Sequence, residues 1–198
     1  MATSRTDGGK NVNARTRLLE ATVEIMYEEG YAAATSRKVA ARAGVKQALV
    51  YYYFPTMDDL FLEVVRSGAE VTLERQRRAL EENDPLRALW LVSGDARGTK
   101  LNTEFMALAN HRKVIGAEMK ASAERVRDIE TAAVTMVLRS QGADLDKYPP
   151  IVMAMVLTGM ARNLRNEQAV GLTAGHAELT AFVNRILDEF DSARTANT

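Results

Sequence analysis

Twenty consecutive residues, TSRKVAARAGVKQALVYYYF at positions 35–54, hold four cations and three tyrosines and not one acid. Arg37, Lys38, Arg42 and Lys46 make a cluster of cations, and whichever hydroxyls of Tyr51, Tyr52 and Tyr53 do not turn inward can be given to phosphates. Gln47 carries an amide that can pair bidentately with the major-groove edge of adenine, and Lys46 can donate to guanine acceptors. The chemistry implied is noncovalent recognition of a duplex. From Tyr31 to Met57 no acid in the sequence offsets the cations, although the whole chain balances 26 Lys and Arg against 26 Asp and Glu. Local charge is therefore informative here, and net charge selects no partner.

Catalytic chemistry has little footing. The sequence has no cysteine, and its two histidines, His111 and His176, are far apart with no evident metal ligands nearby. No phosphate loop or dinucleotide fingerprint occurs. The expectation is a protein that is not an enzyme and takes no cofactor or metal. No signal peptide or membrane-length apolar run is evident, so a soluble, cytoplasmic protein is expected.

The elements that must position these groups are helices. Residues 1–12 read as a disordered arm. A first helix is expected from Asn13, with Leu18, Thr22, Ile25 and Met26 at helical spacing, closing at Gly30. A second starts at Thr35 or Ser36 and carries Val39, Ala40 and Ala43 on one side until Gly44. A third runs from about Val45 to Tyr53 and stops before Pro55. Thr56 and Asp59 form a capping box opening a long fourth helix. Its apolar side takes Leu60, Phe61, Val64, Val65, Val71 and Leu73 toward Glu82.

Asp84-Pro85 opens a fifth helix, which SGDARGTK breaks. A short helix with Phe105, Met106 and Leu108 follows, then a long one from about Lys113 to Ser140. Pro149-Pro150 opens an apolar helix, and Gly171 precedes a last amphipathic one. The fold class is all-α.

Two short helices joined by a glycine-bearing turn make a helix-turn-helix, whose second helix enters the major groove with its N-terminal residues toward base edges. Lys46 and Gln47 hold that position. Three consecutive tyrosines point in different directions on a helix, so at least one must turn inward.

The stretch TSRKVAARAGVKQALVYYYFPTMDDLF resembles the DNA-binding domain of TetR-family transcriptional regulators. Thr35, Arg37, Val39, Ala40, Ala43-Gly44-Val45, Tyr51, Tyr53-Phe54, Pro55 and Leu60 carry the resemblance, which spans residues 15–61. It implies a DNA-binding domain over 13–57 and a larger ligand-binding and dimerisation bundle over 58–198. It further implies that Thr35, Ser36 and Arg37 open the second helix against phosphates, that Gln47 reads sequence, and that Tyr51, Tyr52 and Tyr53 hold phosphates. Three positions depart from the family's pattern: Lys46 replaces a common serine, Met57 a lysine, and Lys38 an acid.

The expected function is a repressor that binds a palindromic operator on double-stranded DNA as a homodimer. A small apolar or amphipathic effector would release it, with the fourth helix as lever. The dimer surface is expected on Val152, Met155, Val156 and Gly159 with Phe182, Ile186 and Phe190. Trp90, Phe105, Met106, Met119 and Met136 are candidate effector-pocket residues; ordinary bundle core is their other reading. A helical protein–protein adaptor that never touches DNA is the alternative, and it leaves the basic cluster unexplained.

Overall fold

The computed structural model describes residues 7–196, with side chains over 13–191. The described residues form nine α-helices and no strand: α1 (Asp7–Glu29), α2 (Ser36–Arg42), α3 (Gln47–Tyr53), α4 (Met57–Glu81), α5 (Pro85–Ser93), α6 (Ala96–Ala109), α7 (Lys113–Ser140), α8 (Pro150–Ala169) and α9 (His176–Ala196). A short 3-10 turn, Tyr31–Ala33, links α1 to α2. The all-α reading holds.

Several boundaries differ from the expectation. The helix α1 starts at Asp7 instead of Asn13, so the backbone of 7–12 is helical, while 1–6 of the expected arm lie outside the described residues. Nucleation is the costly step, and the packed turns around Leu18 and Ile25 have already met it, so propagation toward the N-terminus is easy. Within SGDARGTK only Gly94 and Asp95 interrupt helix. Asp95 Oδ2 accepts from the Gly98 N–H at 2.8 Å, a cap that starts α6 at Ala96, well ahead of its apolar pattern at Phe105. The third helix begins at Gln47, with Lys46 as its cap residue. Val71 is exposed, because the buried row of α4 continues through Ala69, Leu73 and Gln76.

The chain divides into two compact units. Unit one contains residues up to Ala69 together with Lys100–Ala121; unit two contains Glu70–Thr99 and everything from Ser122. Packing therefore does not divide at residue 57: the unit that holds α2 and α3 also takes α4 up to Ala69 and segments of α6 and α7.

In unit one, Leu18, Ile25 and Met26 of α1 pack with Val39 and Ala40 of α2, Val50 and Phe54 at α3, and Leu60, Phe61 and Val64 of α4. Phe105, Leu108 and Ile115 complete this core. Thr22 is buried among them because its hydroxyl donates to the Leu18 carbonyl at 2.7 Å. The turn between α2 and α3 is a Schellman motif: the Val45 N–H bonds the Ala40 carbonyl and the Gly44 N–H the Ala41 carbonyl. Gly44 sits at φ 66°, a left-handed conformation that costs other residues a Cβ clash.

The capping box of α4 forms as expected. Asp59 Oδ2 accepts from the Thr56 N–H at 2.9 Å, and Thr56 Oγ1 accepts from the Asp59 N–H at 3.2 Å. Thr56→Ala is expected to lower stability by about 1 kcal/mol, read as a shift in the thermal unfolding midpoint.

In unit two, Leu86 and Trp90 of α5, Val134 and Leu138 of α7, Ala154 and Ala161 of α8, and Val183 and Leu187 of α9 form the main core. Arg87 ties α5 to α9 through Asn184 Oδ1 at 3.0 Å and Asp188 Oδ1 at 2.6 Å.

Candidate nucleic-acid interface

The helix-turn-helix places Thr35 and Ser36 at the start of α2 and Lys46 and Gln47 at the start of α3. Thr35 is the α2 cap, with its hydroxyl accepting from the Lys38 N–H at 3.3 Å. Lys46 occupies the α3 cap position without a side-chain bond. Gln47 is exposed on the first turn, as a base-reading residue must be, and its Nε2 donates to Ser36 Oγ at 2.9 Å.

The basic cluster is less free than its sequence suggests. Lys38 pairs with Glu29, and Arg42 pairs with Glu28 at 2.9 Å, Glu24 at 3.4 Å and Glu29 at 3.7 Å. Hydrogen bonds that Arg42 donates to Glu28 first and then to Glu24 raise its pKa above the ordinary value. These acids lie on the last turns of α1, outside the window in which no acid was counted. Their spacing at 24, 28 and 29 puts them on one helix face, which is the signal that reveals them in the sequence.

Arg37 and Lys46 are exposed and make no ion pair among the described residues. If these two cations contact phosphates, Arg37→Ala or Lys46→Ala is expected to reduce the slope of log affinity against log salt by about one each. Lys38→Ala and Arg42→Ala should leave the slope unchanged. A salt titration on duplex DNA measures both pairs.

The tyrosines separate by helix face. Tyr53 is half-buried beside Phe54, at 6.5 Å between ring centroids, and packs on the unit-one core. Tyr51 and Tyr52 are exposed. Tyr52 meets Tyr53 edge-on at 5.1 Å, and the Tyr51 hydroxyl donates to Ser36 Oγ at 2.9 Å. Thus Tyr53 is the one that turns inward.

Residues 18–64, the core of this reader, match the family model for bacterial regulatory proteins of the tetR family. Over these residues the chain is similar to the DNA-binding domain of TetR-family regulators. The nucleoid occlusion factor SlmA of Vibrio cholerae is 32% identical over 87 residues, 43% of this chain and 44% of that protein. The transcriptional repressor KstR of Mycolicibacterium smegmatis is 29% identical over 111 residues, covering 56% and 54%. The chain thus spans about half the length of these curated relatives. Beyond the reader the likeness is one of fold: the crystal structure of FadR from Bacillus subtilis, solved with stearoyl-CoA, superposes with a TM-score of 0.65 at 18% identity, covering 90% of this chain and 98% of that one.

Each departure from the TetR pattern now has a local account. Lys38, unfavourable at a helix N-terminus, is compensated by Glu29. Lys46 trades the cap hydrogen bond for a free cation. Met57 is half-buried against the unit-one core and lines a cleft of about 380 Å³ with Thr35, Ser36, Phe61, Leu108 and His111.

The five candidate pocket residues do not come together within either unit. Phe105 is buried and Met119 half-buried in the core of unit one, and Trp90 is buried in that of unit two. Met106 and Met136 are exposed, at 57% and 52%. Successive helical residues are turned about 100° from one another, so Phe105 and Met106 cannot both face inward. Met136 lines an open cleft of about 660 Å³ on α7 and α8 with Asp128, Thr131, Thr135, Arg139 and Ile151.

His176 Nε2 lies 2.8 Å from Glu167 Oε2. That contact first, and Asn163 second, hold the Glu167 carboxyl below its ordinary range. Among the described residues no group of three or more His, Cys, Asp or Glu side chains is placed to hold a metal, and no helix is long and apolar enough to cross a membrane.

Proposed function

We propose that the chain is a homodimeric, ligand-responsive repressor that binds a palindromic operator and is released by a small apolar or amphipathic effector. The observation that carries DNA reading is the arrangement at α3: Gln47 exposed on the first turn, with Arg37 and Lys46 free of acidic partners. One such helix reads only a few base pairs, so two copies about 34–36 Å apart are needed to fill successive major grooves. The adaptor alternative accounts for Lys38 and Arg42, whose charges α1 compensates, but it leaves Arg37 and Lys46 without a role.

The pairing surface we assign is the outer row of α8, where Ile151, Val152, Met155 and Val156 are exposed at i, i+1, i+4 and i+5, with Phe182 exposed on α9. Four neighbouring apolar residues on one helix stripe are unusual for a surface that water covers. Effector control is supported by fold likeness to a regulator crystallised with stearoyl-CoA. The effector shifts the population toward an arrangement whose reading heads no longer match the grooves. The lever is α4, which contributes residues to both units. An effector that left both operator affinity and head separation unchanged would eliminate this lever.

The test is selection of bound duplexes from a randomised pool. A palindrome with half-sites one helical turn apart is expected. Gln47→Ala should then cost about 1–3 kcal/mol on that duplex and relax preference at one position per half-site. Recovery of no preferred sequence would remove the operator from the proposal.

A further inference from the structure

Ser36 was expected at the phosphate backbone, but its surroundings suit another task. It is 8% exposed, and its Oγ lies 2.9 Å from Gln47 Nε2 and 2.9 Å from the Tyr51 hydroxyl. Gln47 and Tyr51 are four residues apart, so they occupy one face of α3, and a single atom of α2 holds both.

We infer that Ser36 is a positioning residue for base reading, whose hydroxyl fixes Gln47 and Tyr51 in place before any duplex is bound. This rests on the reading of α3 as the recognition helix.

Ser36 Oγ accepts both bonds, so its two lone pairs are engaged, and the single hydrogen it keeps belongs to a side chain that is almost wholly buried. Gln47 retains its Oε1 and its second Nε2 hydrogen. Those are the acceptor and donor that the N6 and N7 edge of adenine requires. An exposed glutamine otherwise samples many rotamers and loses them on binding. Anchoring the amide nitrogen on Ser36 removes part of that loss in the free protein and sets which end of the amide faces outward, so the gain is one of preorganisation. Tyr51 is held by the same atom, one turn further along α3. Base discrimination at the Gln47 position therefore depends on a hydroxyl that touches no base.

The experiment uses the full chain and the duplex recovered from the randomised pool. Affinity is measured for wild type, Ser36→Ala, Gln47→Ala and the double variant. The targets are that duplex, its single-base substitutions and a random duplex. Ser36→Ala is expected to reduce discrimination at the Gln47 position about threefold to tenfold. Affinity for random duplex and the salt slope should not change. Added to Gln47→Ala, it should change that discrimination no further.

Equal losses on operator and random duplex, or a penalty that adds fully to that of Gln47→Ala, would overturn the inference. In the free protein, nitrogen relaxation of side-chain amides supplies a reading independent of DNA. The Gln47 amide should be more ordered than that of exposed Gln168 and lose that order in Ser36→Ala; equal mobility in wild type overturns the anchor. If no duplex is recovered, the operator reading fails together with this one. A recovered operator with additive penalties fails this inference alone.

Discussion

Met155→Glu is expected to give a folded monomer that has lost operator binding. Met155 is 52% exposed in the single chain, so the substitution removes little buried surface and should leave monomer stability within about 0.5 kcal/mol. Its effect lies in the proposed pairing. A two-fold interface uses the same patch on both copies, so one substitution places two carboxylates in the apolar row with Ile151, Val152 and Val156. Without the second copy the chain retains one reading head, and loss of the linked second contact lowers affinity by roughly 10²–10⁴-fold. Sedimentation at micromolar concentration reads the assembly, and titration of the palindromic duplex reads the affinity. A dimer of unchanged affinity would move the interface elsewhere. Val71→Glu, on the equally exposed side of α4, is the control and should change neither quantity.

The reader was the most legible part of the chain, because its signals are local and mutually consistent. Thr35 as cap, Gly44 at the turn, Pro55 as stop and the Thr56–Asp59 box each specify a boundary within a few residues of themselves, and each forms. The family resemblance read over 15–61 coincides with the match over 18–64. What the sequence concealed depended on residues distant in the chain. Glu24, Glu28 and Glu29 compensate Lys38 and Arg42 from a different helix, so a window opening at Tyr31 missed them. The contacts of Ser36 required knowing which faces of α2 and α3 meet.

The larger helices were visible through their periodicity, but which of their apolar residues share a core was not. Phe105 and Trp90 have the same composition-level credentials as pocket residues and fall in different units. Periodicity says that a residue faces inward, and only packing says toward what. The missed start of α6 has a similar origin, since ARGTK has no apolar period and Asp95 acts through a single cap. The exposed row on α8 shows the converse case: apolar residues at helical spacing that the single chain leaves uncovered.

Arg127→Ala combined with Arg162→Ala is expected to destabilise unit two by about 3–5 kcal/mol, and adding Glu130→Met should restore most of the loss. Glu130 is 1% exposed; its Oε1 lies 3.5 Å from Arg162 Nη1 and its Oε2 3.6 Å from Arg127 Nε. Thr158 Oγ1 donates to Oε2 at 3.2 Å. Removing both guanidinium groups strands a buried carboxylate, whereas removing the carboxylate lets two arginines, each about one-third exposed, turn to water. The asymmetry is the discriminating feature: Glu130→Met alone should cost little.

Trp90, the chain's single tryptophan and buried in the same unit, reports the urea transition without labelling. A double variant that unfolds at the wild-type urea concentration would show that the carboxylate needs neither arginine. The surrounding contacts bear on the proposed lever. Glu70 of α4 pairs with Arg125 of α7 at 2.8 Å, and Ala79 of α4 clusters with Ala133 of α7. Gln76 Oε1, Glu130 Oε1 and Arg127 Nη1 are all buried without a hydrogen bond. A polar core that is incompletely bonded gives up less when its helices shift than a fully satisfied one. The stretch of α4 proposed as lever includes Gln76, whose Oε1 is one of these unbonded buried atoms.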